Sequence, residues 1–190
     1  MRILTREEVN AEKRSLMESI IDGAVFIYPT DTIYGLGCNA LKSAPVKKIR
    51  DIKNRAKNPF SVIAPSKQWI FDNCTIGEET MKWIEKLPGP YTLILKVKNN
   101  AVAKEVNPNL DTLGIRIPNH WFSSFAGELE VPIVTTSANK AADDFMTSLD
   151  NLDSDIKNSV NFIIYEGEKK GRPSKIIDLS GRLKIIERYA

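Results

Sequence analysis

A cluster of cations, an isolated arginine and several groups of hydroxyls are the residues of this chain best suited to chemistry. Each stands where an apolar run gives way to polar sequence. The run Ala24-Val25-Phe26-Ile27 reads as a buried strand, and it opens into Tyr-Pro-Thr-Asp-Thr-Ile-Tyr-Gly-Leu-Gly-Cys-Asn-Ala at 28–40. Pro29 ends the ladder, and the hydroxyls, carboxylate and glycines that follow are what α/β proteins place in ligand loops at strand ends. Lys53-Asn54-Arg55-Ala56-Lys57-Asn58-Pro59 puts three cations and two amides directly before another strand. That pattern suits an anion site and equally a solvated helix end whose cations complement the dipole. Arg116 is less ambiguous: it interrupts the apolar run of Thr112-Leu-Gly-Ile-Arg116-Ile-Pro118, and an arginine there requires an acidic or phosphate partner. Thr135-Thr136-Ser137-Ala138-Asn139 and Gly171-Arg172-Pro173-Ser174 repeat the device, crowding hydroxyls and backbone amides at the edge of an apolar run.

Much familiar machinery is missing. There is no GxxxxGK[ST] phosphate loop, and Gly35-Leu-Gly37-Cys-Asn-Ala40 mimics a dinucleotide fingerprint without leading from strand directly into helix. His120 is the only histidine, so a His-based metal site is excluded, and its place after Pro118 suits an exposed helix start. Cys38 and Cys74 have no activating partner nearby and read as packing residues. What remains is a site of cations and hydroxyls, fit to hold a triphosphate or a carboxylate.

The elements that must position these groups follow from periodicity. Thr5-Arg-Glu-Glu8 has capping-box spacing ahead of a helical stripe of Val9, Leu16, Ile20 and Ile21, closed at Asp22-Gly23. Helices are also expected at 43–53, 66–73, 77–87, 119–129 and near 149–158, and strands at 60–64, 92–97, 113–117, 132–135, 162–165, 175–179 and 183–186. Helices and strands alternate early, whereas strands joined by short turns dominate late. The pattern indicates an α/β fold around a twisted mixed parallel/antiparallel sheet with flanking helices. At 190 residues, 42% hydrophobic and 27% charged, the chain suits one domain spanning 1–190, and a net charge of +3 permits an anionic ligand or RNA without demanding either. Two distant cysteines, no apolar leader and no long apolar run point to a cytoplasmic protein without a membrane span.

Taken in order, YPTDTIYGLGCNA, KNRAKNP, LPGPYTLIL, TLGIRIP, TTSAN and GRPSKIIDL resemble the blocks of the YrdC/TsaC family, the threonylcarbamoyl-AMP synthases, along nearly the whole chain. The resemblance implies a concave basic face on the sheet and a nucleotidyltransferase activity. That activity joins L-threonine, bicarbonate and ATP into threonylcarbamoyl-AMP and pyrophosphate, with Mg2+ accompanying the nucleotide. The product would serve threonylcarbamoyladenosine (t6A) formation on tRNA, with tRNA or the threonylcarbamoyl transferase complex as partner. By the same resemblance Thr32 takes a threonine-binding position and Tyr34 walls its pocket, while Lys53 and Arg55 face the ATP phosphates as the catalytic cations. Asn58, or Lys57 in a loop one residue shorter than the family pattern, supplies a polar contact before the proline. Thr112 contacts ATP, Arg116 holds the threonine carboxylate, and Thr135 and Ser137 offer backbone amides to the two substrates. Ser174 is a threonine-side contact and Arg188 an ATP contact.

The chain departs from the family where Lys140-Ala141-Ala142 replaces Ser-Gly after the SAN block, at Phe145 where a nucleotide-contacting serine is expected, and at Lys175. Without a protein nucleophile, the attacking group would be a carbamate formed on threonine's own amine, and the protein would position substrates and stabilise charge. Two other readings stand beside this one. One is a non-catalytic double-stranded RNA-binding module. The other is a transferase for a different amino acid, serine differing from threonine by one methyl.

Overall fold

A computed structural model of the chain describes residues 1–190 except 56–57, 99, 141–142 and 189–190. In chain order the elements are β1 (Arg2–Leu4), α1 (Arg6–Ala11), α2 (Lys13–Asp22), β2 (Phe26–Tyr28), β3 (Gly35–Gly37), α3 (Ser43–Ile52), β4 (Ser61–Ile63), α4 (Lys67–Asn73), α5 (Glu78–Glu85), β5 (Tyr91–Lys96), β6 (Thr112–Arg116), α6 (Trp121–Glu128), β7 (Ile133–Ser137), α7 (Ser154–Ser159), β8 (Phe162–Ile164), β9 (Lys175–Asp178) and β10 (Lys184–Ile186). The strands join in one sheet in the order β1-β8-β2-β3-β7-β4-β6-β5-β9-β10. Parallel pairs such as β4–β6 and β5–β9 sit beside antiparallel pairs such as β5–β6 and β4–β7, so the sheet is mixed as its sequence pattern predicts.

Strand alternation divides the apolar residues between the two faces. Val25 and Ile27 of the first long run join a core with Val46 and Ile49 of α3, Ile70 of α4 and Ile84 of α5. Phe26 and Tyr28 point the other way, to Val9, Leu16 and Ile20 of α1 and α2 and to Phe122 and Phe125 of α6. The second face is the one that matters for function. Under β1, β8 and β2 it is apolar and packed by helices. From β7 onward it carries Thr135, Ser61 and Gly114 in adjacent register, followed by Ile94 and Asp178. Sequence that can no longer pack a helix leaves an open floor there.

The capping box forms as its spacing predicts, with the Glu8 amide donating to Thr5 Oγ1 and the Thr5 amide to Glu8 Oε2. The N-terminal helix, however, breaks at Glu12 into α1 and α2, and β1 precedes it as a three-residue strand too short for its periodicity to be read. The expected helix at 149–158 begins only at Ser154, where the Asp153 carboxylate caps it. Gly35-Leu-Gly37, read as part of a ligand loop, is a strand between β2 and β7. Its glycines are required by close approach: a Cβ on Gly35 would meet Tyr28 Cζ at 2.7 Å, and one on Gly37 would meet the Val134 carbonyl at 2.4 Å.

Candidate active site

The open floor belongs to a cavity of about 460 Å³, within the range of small-molecule sites. Gly114 keeps it flat at the centre, since a Cβ there would come within 2.3 Å of Ser61 Oγ. Along β6, Thr112 and Arg116 lie four residues apart on this face, so at strand rise they stand about 13 Å apart and mark its two ends.

Arg116 occupies the first end and is buried. Its acidic partner belongs to the chain itself: Nη2 donates to Asp31 Oδ1 at 2.9 Å and to Thr32 Oγ1 at 3.2 Å. Asp31 Oδ2 accepts the Asn119 amide at 2.9 Å, which locks the pair to the start of α6. Burial pushes the Arg116 guanidinium down from its ordinary value, and Asp31 opposes the shift. Arg116 Nε is buried without a partner. Thr30 shapes the turn beneath, its hydroxyl donating to the Ile33 carbonyl at 2.7 Å and accepting the Thr32 amide at 3.1 Å. Thr32 opens onto an adjoining recess that it shares with Arg188 rather than onto the main cavity.

Ser174 and Arg188 close this end. The Ser174 hydroxyl lies 2.7 Å from Thr92 Oγ1, and Arg188 donates from Nη2 to the same hydroxyl at 2.6 Å and from Nε to the Ser174 carbonyl at 2.9 Å. Burial lowers the Arg188 pKa first, and the positive charges of Arg116 and Arg55 add to it. Arg188 therefore feels both other guanidinium groups across one cavity, where Asp178 is the one carboxylate among the described lining residues. Tyr34 walls the side: its ring stacks on Tyr165 at 5.6 Å, and its hydroxyl donates to the Gly167 carbonyl at 2.6 Å and accepts the Glu166 amide at 3.1 Å. Burial pushes the Tyr34 phenol up to about 12.

At the far end stand Arg55, Thr112, Ser137, Leu110, Pro59 and Phe145. Arg55 donates from Nη2 to the Pro59 carbonyl at 3.1 Å, and its Nε is buried without a partner. Thr135 and Ser137 line the floor.

Two expected contacts are placed elsewhere. Lys53 is buried and turned away from the cavity, its Nζ donating to the Ser137 carbonyl at 2.6 Å, the Asn139 carbonyl at 2.5 Å and Asn139 Oδ1 at 3.1 Å. Burial, with Arg55 nearby, lowers its pKa to about 8. Lys53 thus holds the Ser137–Asn139 turn by its carbonyls. Asn58 is exposed, and its carbonyl accepts from Arg50 Nη1 at 3.2 Å. Lys57, the alternative to Asn58, lies outside the described residues. His120 caps α6 as its position suggests, accepting the Phe122 amide on Nδ1 at 3.2 Å, but it is not exposed: its Nε2 meets Glu166 Oε1 at 2.8 Å. Cys38 and Cys74 are buried, and burial pushes the Cys74 thiol up to about 11. Sequence reasoning passed over Asp31 as a partner for Arg116, and it passed over Ser61, Thr92 and Gly114. The signal for these last three was their parity with Arg116 on inward-facing strand positions.

The Sua5/YciO/YrdC family model, described as telomere recombination, matches residues 18–188. The chain belongs to this family. Among its relatives, a Methanocaldococcus jannaschii protein provisionally named threonylcarbamoyl-AMP synthase is 36% identical over 94% of this chain and 87% of its own length. The Pyrococcus abyssi threonylcarbamoyl-AMP synthase is 35% identical over 94% of this chain and 54% of its own. The chain thus spans about half the length of that relative. The structure of P. abyssi Sua5 complexed with L-threonine superposes with a TM-score of 0.85 at 31% identity, covering 95% of this chain and 54% of that one. Escherichia coli YciO shares the fold with a TM-score of 0.85 at 20% identity, and the two chains match over 98% and 94% of their lengths. The mixed sheet and flanking helices are those of Sua5 and YciO.

Proposed function

We propose that this chain is a nucleotidyltransferase that makes threonylcarbamoyl-AMP from L-threonine, bicarbonate and ATP. The observation that carries the reading is the convergence of Arg55, Arg116 and Arg188 with a row of hydroxyls on one cavity in a Sua5/YciO/YrdC chain. The threonine-bound Sua5 structure and the names of the relatives support threonine as the amino acid.

The Arg116 end takes the threonine carboxylate. Asp31 and Thr32 occupy one amino group of the guanidinium and fix its plane, so that the rest of the fork is presented in one orientation. The amine of threonine bonds to the carbon of bicarbonate, water leaves, and a carbamate results. One carbamate oxygen then attacks the α-phosphorus of ATP, and the bond from that phosphorus to the bridging oxygen breaks as pyrophosphate departs. Arg55 and Arg188 stabilise the charge that spreads over the phosphate oxygens, already aimed before the reaction begins. The Ser137–Asn139 turn, braced by Lys53, keeps Ser137 at the cavity.

Mg2+ belongs to this scheme as part of the substrate, MgATP. No cluster of three or more His, Cys, Asp or Glu side chains stands among the described residues, and Asp178 on the cavity wall is engaged by the Ser180 amide and hydroxyl. That donor set suits an ion held chiefly by phosphate oxygens. The product would feed t6A formation on tRNA through a transferase partner, in the cytoplasm, from one domain spanning 1–190. No helix among the described residues is long and apolar enough to cross a membrane.

The test is mass spectrometry of purified protein incubated with MgATP, threonine and 13C-bicarbonate. Threonylcarbamoyl-AMP carrying the label is the expected product, and its absence in the presence of folded protein would sink the proposal.

A further inference from the structure

Arg50 sits in the last turn of α3, on the side away from the cavity floor, and its side chain is buried. Its guanidinium reaches two separate stretches of backbone. Nε donates to the Glu105 carbonyl at 2.7 Å and Nη2 to the Val106 carbonyl at 3.3 Å. Nη1 donates to the Arg55 carbonyl at 2.8 Å and to the Asn58 carbonyl at 3.2 Å. The Val106 carbonyl also accepts the Phe60 amide at 2.8 Å, and the Arg55 amide returns to the Arg50 carbonyl at 3.0 Å. The Arg50 guanidinium lies 4.6 Å from the Phe60 ring centroid and the Arg55 guanidinium 5.5 Å from the same centroid.

The chain needs such a fastening here. Asn54 takes a left-handed φ of 49°, which turns the backbone sharply out of α3. Arg55 follows at once, and neither Arg55 nor Asn58 belongs to a helix or a strand. We propose that Arg50 is a positioning residue for Arg55. It ties both ends of the 55–58 segment to the 105–106 backbone, and it shares the Phe60 ring with Arg55, so the Arg55 guanidinium stays at the cavity. A planar fork with donors in fixed directions can serve two backbone stretches at once, whereas a lysine ammonium is a single point at the end of a flexible stem.

This inference rests on the adenylation reading, in which Arg55 meets the phosphates, and the experiment separates the two. Arg50→Lys, Arg50→Gln, Arg55→Ala and the double variant Arg50→Lys/Arg55→Ala would be compared in turnover, in MgATP and threonine affinity by calorimetry, and in thermal melting. The expected result is a loss of at least tenfold in kcat for Arg50→Lys, with threonine affinity within about twofold of wild type. The double variant should be no slower than Arg55→Ala alone, because a residue acting through Arg55 has nothing left to position. Losses that multiply in the double variant would overturn the proposal, as would wild-type turnover in Arg50→Lys. If wild type binds MgATP without forming product, the adenylation reading fails while the inference is judged on affinity: Arg50→Lys must then weaken MgATP as Arg55→Ala does, again without additivity. Loss of cooperative unfolding in both Arg50 variants would make Arg50 a core residue and refute the positioning role.

Discussion

At the scale of single residues, the site turns on how each cation is compensated. Arg116 lies against Asp31 with both side chains largely excluded from solvent. Breaking such a pair from one side leaves an uncompensated buried charge, so Asp31→Asn should lower stability by roughly 3–5 kcal/mol in chemical denaturation. Arg116→Lys keeps the charge but cannot serve Asp31, Thr32 and a carboxylate together, and threonine titrated into this variant should bind at least tenfold more weakly. Equal affinity would remove Arg116 from the threonine site. Arg55→Ala should lower adenylate formation by about two orders of magnitude, the scale of one lost preorganised donor, with a melting temperature near wild type. Arg116 was legible in the sequence because an arginine inside an apolar strand must find a partner. Lys53 was not, because a long flexible side chain beside a phosphate-friendly loop can equally turn back to carbonyls. Here it takes three such acceptors, and the spacing of residues says nothing of that choice.

At the scale of elements, the segment after β8 is held to the cavity wall by an assembly of charged and aromatic groups. The Glu166 carboxylate accepts from His120 and from Trp121 Nε1 at 2.7 Å and pairs with Lys169, while its amide meets the Tyr34 hydroxyl. Five residues on, Gly171 passes so near the Thr32 carbonyl that a Cβ would meet its oxygen at 2.1 Å. Burial holds His120 below the ordinary imidazole range, with the bond to Glu166 opposing that shift. Between the lowered folded value and the unfolded value of about 6.5, the unfolded chain binds more protons, so stability must fall as pH drops below about 6.5. Glu166 is itself lowered from the usual carboxylate value, so its own contribution is lost only at more acidic pH. Melting measured from pH 7 to pH 5 should therefore show a decline that His120→Asn, which can still cap α6, flattens. A parallel decline in both proteins would clear His120 of the effect. The helix caps and most strands were legible because capping and alternation are local. Gly35–Gly37 was not, since what makes it a strand is pairing with β2 and with the distant β7, at a closeness to the Tyr28 ring and the Val134 carbonyl that only glycine allows.

At the scale of the whole molecule, the cavity exists because helices cover only part of one face of the sheet. The mixed architecture was readable from the order of periodic segments, but the strand order was not, because it depends on pairings far apart in sequence. Arg188 illustrates what that order achieves. It follows β10, whose residues are exposed, yet it reaches the cavity through Ser174. Arg188→Ala should leave folding intact and weaken MgATP binding by an order of magnitude or more in calorimetry. An unchanged affinity would place Arg188 outside the nucleotide site.

The position of β8 between β1 and β2 has a consequence for how the protein is born. Residues 2–4 and 26–28 leave the ribosome early, yet the strand that lies between them comes from residues 162–164. Until that strand arrives, β1 has no neighbour and one side of β2 stays unpaired, with its hydrogen-bonding groups open to any passing chain. β5 likewise waits for residues 175–178 to cover its outer side. Folding therefore closes late and through distant pairings, which makes it slow and leaves the nascent chain in need of shelter during synthesis. The cavity shares this timing: Ser174 and Arg188 join it last, and no partial chain holds a finished site.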